Sequence, residues 1–221
     1  MRYKINNFND GITVTQGLIA VNVIIFLYMN FSGSEFSHEI YNKFCCSGVI
    51  PNNWYNLREG AQTIFDNGQY YRFFTANFLH ADVLHLLMNM MALYYLGQAA
   101  EYMVGRKSFI IIYLICSLGT TILSATVNVV TDPNTIQRLV GASGAILGIA
   151  GAMAGIAIYR KLNNIYYGVQ INYQPLITIL GLNIVIGLVP GISFMGHLAG
   201  ALTGIVTGSV YAYLYHKKII R

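Results

Sequence analysis

The chain has 221 residues, 55% of them apolar and only 10% charged, with 22 Gly and 17 Tyr. That is too hydrophobic for a soluble domain and too rich in glycine for an ordinary core, and it fits a polytopic membrane protein. The net charge of +5 does not mark a nucleic-acid binder, because the basic residues sit in twos and threes at the ends of apolar runs, where membrane topology accounts for them.

Apolar runs of about 16–25 residues, the length needed to cross the hydrocarbon, cover 14–31, 78–103, 109–130, 140–159, 171–189 and 194–215. The pattern predicts an all-α bundle of six transmembrane helices. The first run lacks the short apolar core and small-residue cleavage site of a removed signal, so it is expected to stay in the chain. The connection 32–75 carries Trp54, Tyr55, Tyr70, Tyr71, Phe73 and Phe74, a load suited to the membrane interface. Short helices on or in the outer leaflet are expected there. Cys45 and Cys46 are adjacent in this connection and Cys116 lies mid-span, so all three are expected to be free thiols. The fifth run is the weakest, interrupted by Gly181 and Gly187 and closed by Pro190-Gly191.

Charge sets the orientation. With both termini cytoplasmic, Arg2, Lys4, Arg106, Lys107, Arg160, Lys161, Lys217, Lys218 and Arg221 fall inside, and Lys43, Arg58, Arg72 and Arg138 outside. No internal repeat is visible, so 1–221 reads as one membrane-embedded domain with 32–75 as its outer loop.

With that orientation, Ser143 on span four, His197 on span six, and His85 and Asn89 on span two share one layer, roughly 10 Å below the outer boundary. At about 100° per residue, His197 lies within the arc of Gly200, Ala201, Gly204 and Gly208, and Ser143 borders the arc of Gly144, Gly148, Gly151 and Gly155. Packing these small-residue faces would present imidazole to hydroxyl. A serine hydroxyl needs an adjacent base to become a nucleophile, and no carboxylate stands at that depth, since Glu101 ends span two on the inner side. The arrangement therefore reads as a dyad. His85 and Asn89 share a helix face and can donate to a developing oxyanion, as can the backbone N–H of Ser143. His80, about 140° from His85 on a helix, is expected to point elsewhere. Taken singly these residues have plainer readings: Gly-x-Ser-Gly serves packing, and a lone His or Asn serves as a bond between helices. Their joint placement favours catalysis.

These residues resemble the rhomboid intramembrane serine proteases. The likeness rests on Tyr71-Arg72-Phe73-Phe74-Thr75, His80 to Asn89 on span two, Gly141-Ala142-Ser143-Gly144, and Gly196-His197 followed by Gly200 and Gly204. The resemblance implies Ser143 as nucleophile, His197 as base, and an oxyanion hole lined by His85, Asn89 and Ser143. It implies transmembrane-helix substrates in a lipid bilayer, a bacterial plasma-membrane location, and neither cofactor nor metal. Arg72 and Glu101 match positions read as structural, fixing the first loop and the inner end of span two. Tyr71 stands where the family often has Trp. Leu147 stands where many members have an aromatic that stacks on the histidine, which leaves His197 without that support.

The competing class is a non-catalytic rhomboid-like protein that binds transmembrane helices; such relatives lack the Ser and His. A channel or transporter would need a polar path, and the inner halves of the spans offer almost no ionisable residue. A His-Glu-x-x-His motif and paired mid-membrane aspartates are both missing from the sequence.

Overall fold

The computed structural model describes residues 11–51, 61–132, 134, 136–166, 172–189, 192–217 and 219. Trp54, Tyr55, Arg58, the Pro190-Gly191 pair, and the terminal Arg2, Lys4, Lys218 and Arg221 lie outside the described residues.

Helix α1 (Val14–Phe31) begins at a capping box in which Thr13 accepts from Gln16 N and the Gln16 amide answers Thr13 N. Two further first-turn donors, Val14 N and Thr15 N, are taken by the carboxylate of Glu101, each at 2.9 Å, and Thr15 Oγ1 donates to it at 2.7 Å. Glu101 is fully buried, and Arg106 Nε lies 3.7 Å from it. One anion thus neutralises the positive end of α1 and ties it to the far end of α5 (Val83–Val104). This is the structural role expected of Glu101.

The outer connection holds α2 (Ser34–Phe44), α3 (Ile64–Asn67), α4 (Arg72–Thr75) and a 3-10 turn (Ala76–Phe78). It also holds strands β1 (Val49–Pro51) and β2 (Ala61–Thr63), paired antiparallel with Ile50 opposite Gln62. The expectation of short helices is met, but the strand pair was not foreseen. Three-residue strands are too short to show alternation. Arg72 binds the connection together: Nη1 donates to the carbonyls of Asn42 and Cys45 at 2.7 and 2.8 Å. Cys46 and Leu139 exchange backbone hydrogen bonds, which clamps the connection onto the segment leading to Ser143. Tyr70, Tyr71 and Phe74 are half exposed, whereas Phe73 is buried beneath the loop and does not face the interface. All three cysteines are free and buried. Burial pushes the thiols of Cys45 and Cys46, outside the spans, up to about 11 and about 12, so at neutral pH they are protonated and inert.

Four long helices and a short one follow: α5 (Val83–Val104), α6 (Arg106–Thr131), α7 (Ser143–Leu162), α8 (Tyr173–Ile186) and α9 (Phe194–His216). Helices α1, α6, α7 and α9 are long and apolar enough to cross a membrane. In α5, His85, Asn89, Gln98 and Glu101 dilute the apolar character, and α8 has only 14 residues. Helix α5 thus begins at Val83, five residues later than the start at Phe78 expected for span two; Asp82 caps it by accepting from His85 N at 2.8 Å.

Helix α7 is the centre of the bundle. Every residue from Gly144 to Ala157 is buried, and α9, α6, α8 and α5 pack around it. A Cβ built on Gly200, Gly204 or Gly208 would land on the carbonyl oxygens of Gly144, Gly148 or Ala152, and one on Gly151 would stand 2.6 Å from Ala201 O. Along this seam the two backbones touch, as the stripes of small residues require. Helix α8 is the opposite case, with only Leu176 and Leu180 buried.

Candidate active site

Ser143, His85 and His197 all stand in the first turn of their helices, α7, α5 and α9, and Asn89 stands one turn further along α5. Gly200, Gly204 and Gly208 of α9 meet Gly144, Gly148 and Ala152 of α7 in matching order, so these two helices run parallel and their N-terminal turns stand side by side.

The backbone before Ser143 takes its shape from Gly141, at φ +103, a left-handed value that side chains other than glycine's rarely tolerate. Its N–H donates to Ala76 O at 3.0 Å, which moors the turn to the outer connection. Ala142, at the N-cap, offers no side chain to the first-turn N–H groups. The N–H of Ser143 therefore remains free of side-chain capping at the positive end of a helix.

A Cβ on Gly141 would meet His85 Nε2 at 2.6 Å and Asn89 Nδ2 at 3.3 Å. Both side chains from α5 therefore lie against the turn that presents Ser143. Asn89 is 5% exposed, and its Nδ2 is a buried donor with no acceptor among the described residues. Such a group costs free energy in the resting protein and invites an explanation by function.

His197 is buried, and its turn is fixed by Ser193, whose hydroxyl accepts from Gly196 N at 3.0 Å and whose carbonyl accepts from His197 N at 3.0 Å. Its ring Nδ1 lies 2.9 Å from the main-chain carbonyl oxygen of Asn183 on α8. Leu147 is buried in the apolar core, so the ring's orientation comes from a hydrogen bond and not from stacking. No reading of side chains could have found Asn183, because the group in play is its backbone. Ser143 and His197 line one cavity of about 30 Å³, room for a water molecule, together with Gly141, Gly144, Thr120 and Ser193.

His80 departs from expectation. It lies in the linker before α5, so the helical offset from His85 does not apply, and its ring meets that of His85 edge-on with centroids 5.1 Å apart. It is buried. Phe194 and Met195 open α9 and are partly buried. Among the described residues no three His, Cys, Asp or Glu side chains cluster as metal ligands.

Residues 67–214 match the family model described as the Rhomboid domain. The rhomboid protease AarA of Providencia stuartii is 26% identical over 222 residues, covering 94% of this chain and 75% of that protein. The putative rhomboid protease YdcA of Bacillus subtilis (strain 168) is 31% identical over 152 residues, covering 68% of this chain and 72% of that protein. The RHOMBOID-like protein 4 of Arabidopsis thaliana is 34% identical over 140 residues, covering 63% of this chain but 34% of that protein. The chain spans a third to a half of the length of its Arabidopsis relatives. With apolar helices of membrane-spanning length and a family match across most of the bundle, this is an integral membrane protein, and the chain belongs to the rhomboid family.

Proposed function

We propose that the chain is an intramembrane serine endopeptidase of six spans with both termini cytoplasmic, acting in a bacterial plasma membrane on transmembrane-helix substrates. The observation that carries this reading is the convergence of Ser143 and His197 on one cavity, with the unpaired Asn89 donor against the turn that presents the serine.

In the reaction, Ser143 Oγ attacks the scissile carbonyl carbon while its proton passes to His197 Nε2. The carbonyl oxygen becomes an oxyanion that accepts from Asn89 Nδ2, His85 and the Ser143 N–H. The C–N bond then breaks, the imidazolium gives its proton to the leaving amine, and an acyl-serine remains. Water, deprotonated by the same imidazole, hydrolyses it. No cofactor takes part.

The layer occupied by the site sets the substrate. The scissile bond has to reach the outer end of a helix and be unwound there, since a helix's amides are shielded by its own hydrogen bonds. Gly or Pro near the cut lowers that cost. The glycine-walled space at Ser143 favours Ala, Ser or Gly just before the bond. Access is lateral, past α8, and the outer fragment leaves to the external side. A reporter helix analysed by mass spectrometry is expected to be cut in its outer half after a small residue. A cut in the inner half, or after a bulky aromatic, would refute this.

The reading itself is tested with a labelled fluorophosphonate on the purified protein in detergent. Labelling that disappears in Ser143→Ala supports it; an unlabelled wild-type protein identifies a helix-binding relative instead.

A further inference from the structure

A serine–histidine pair works as a base only if the imidazole presents its unprotonated nitrogen to the hydroxyl. Neutral imidazole carries one N–H, on either nitrogen, and the hydrogen bond made by one nitrogen decides the state of the other. In a triad a carboxylate makes that choice. Here the ring's one hydrogen bond among the described residues is from Nδ1 to Asn183 O at 2.9 Å. A carbonyl oxygen can only accept, so Nδ1 carries the proton and Nε2 holds the lone pair.

We propose that the main-chain carbonyl of Asn183, at the C-terminal end of α8, is the positioning group of the dyad, holding His197 in the Nδ1–H tautomer with Nε2 free as base. The inference rests on the dyad reading above. The geometry around the carbonyl suits the task. Asn183 O also accepts from Gly187 N at 3.0 Å, using its second lone pair within the helix. The Asn183 side chain turns away and donates to Ile179 O at 2.9 Å, so the amide does not compete for the ring. Being neutral, the acceptor avoids the desolvation cost a carboxylate would pay at this depth. It also lies in the last turn of α8, where the negative end of the helix dipole favours the positive charge that develops on the ring during attack.

The test weakens the carbonyl without changing a side chain. Replacing Ile184 by its α-hydroxy acid turns the Asn183–Ile184 amide into an ester, whose carbonyl is a poorer acceptor, and removes one helix N–H. The same replacement at Leu182 removes one N–H of α8 but leaves Asn183 O an amide oxygen, and serves as control. Relative to the Leu182 ester, the Ile184 ester is expected to lose about fivefold in kcat, the worth of one ordinary hydrogen bond, with KM unchanged. A purely structural role for this stretch would affect both esters alike. Independently, 15N NMR of histidine-labelled wild-type protein, with His197 assigned by its loss in His197→Ala, is expected to show a protonated Nδ1 and a bare Nε2. Equal kcat for the two esters, or an Nε2–H tautomer, overturns the proposal. Cleavage that survives Ser143→Ala would defeat the protease reading instead, and the tautomer measurement stands apart from it.

Discussion

The seam between α7 and α9 and the short helix α8 hold the same histidine in opposite ways. Along the seam, glycine carbonyls and glycine α-carbons touch, so the position of His197 relative to Ser143 is fixed by backbone against backbone. Helix α8 reaches the ring with one carbonyl, and only Leu176 and Leu180 bury it against the bundle. The seam fixes where the base stands, and α8 fixes which nitrogen it offers. Placement and orientation of the ring thus fall to different helices.

The largest effect tests whether the seam presents a reacting pair at all. Ser143→Ala and His197→Ala are each expected to abolish cleavage of a transmembrane reporter while leaving the thermal midpoint within about 2 °C, since Ala fits beside the glycines and removes only the reacting groups. More than a per cent of wild-type cleavage by Ser143→Ala would end the assignment. Next comes the oxyanion side. Asn89→Ala removes the buried, unpaired Nδ2 donor, and a fall of about a hundredfold in kcat with KM nearly unchanged is expected, as for loss of one oxyanion donor. A change in KM alone would mean that Asn89 binds substrate and not the transition state.

Gly204→Val probes the seam without touching a reacting atom. A side chain there collides with Gly148 O, a backbone atom that cannot swing away. Helix α9 has to shift, and a displacement of ~1 Å can cost about a hundredfold in rate. The thermal midpoint falls as well, because overpacking strains the core. Normal activity in a folded Gly204→Val protein would show that the seam does not set the dyad geometry.

Much of this was legible in the chain because membranes constrain sequence strongly. The apolar runs located the long helices, and 14–31 coincides with α1. The spacing of Gly200, Gly204 and Gly208 showed which face of α9 meets α7, since only glycine permits such approach. Ser143, His197, His85 and Asn89 could be named because polar side chains are conspicuous in apolar helices. What escaped were features that leave no side-chain signature. The β1–β2 pair is too short to alternate, and the start of α5 at Val83 depends on the Asp82 cap, which moved His80 off the helix and against His85. The Asn183 acceptor belongs to the main chain, so any residue at that position could supply it. Absence of an aromatic at Leu147 pointed to a poorly held base; a carbonyl from another helix does the holding.

The smallest effect comes from a glycine on the other side of the comparison. Gly181 lies mid-way along α8, and a Cβ built there meets nothing within 4 Å. It is helical, with no left-handed φ to protect. Sterically, Gly181→Ala is therefore free, and it replaces a weak helix former by the strongest, worth about 1 kcal/mol in an exposed helix. The thermal midpoint is expected to rise by up to about 2–4 °C. Activity is expected to stay within twofold, because the Asn183 carbonyl and the two anchoring leucines are left where they were. The measurement is informative in both directions. If the substitution stabilises the protein and yet costs tenfold or more in cleavage, the glycine serves the bending of α8 as substrate passes, and the contrast becomes one between a rigid seam and a helix selected to yield. If both quantities move as expected, α8 needs only to sit in place, and its light anchoring already gives substrate enough room.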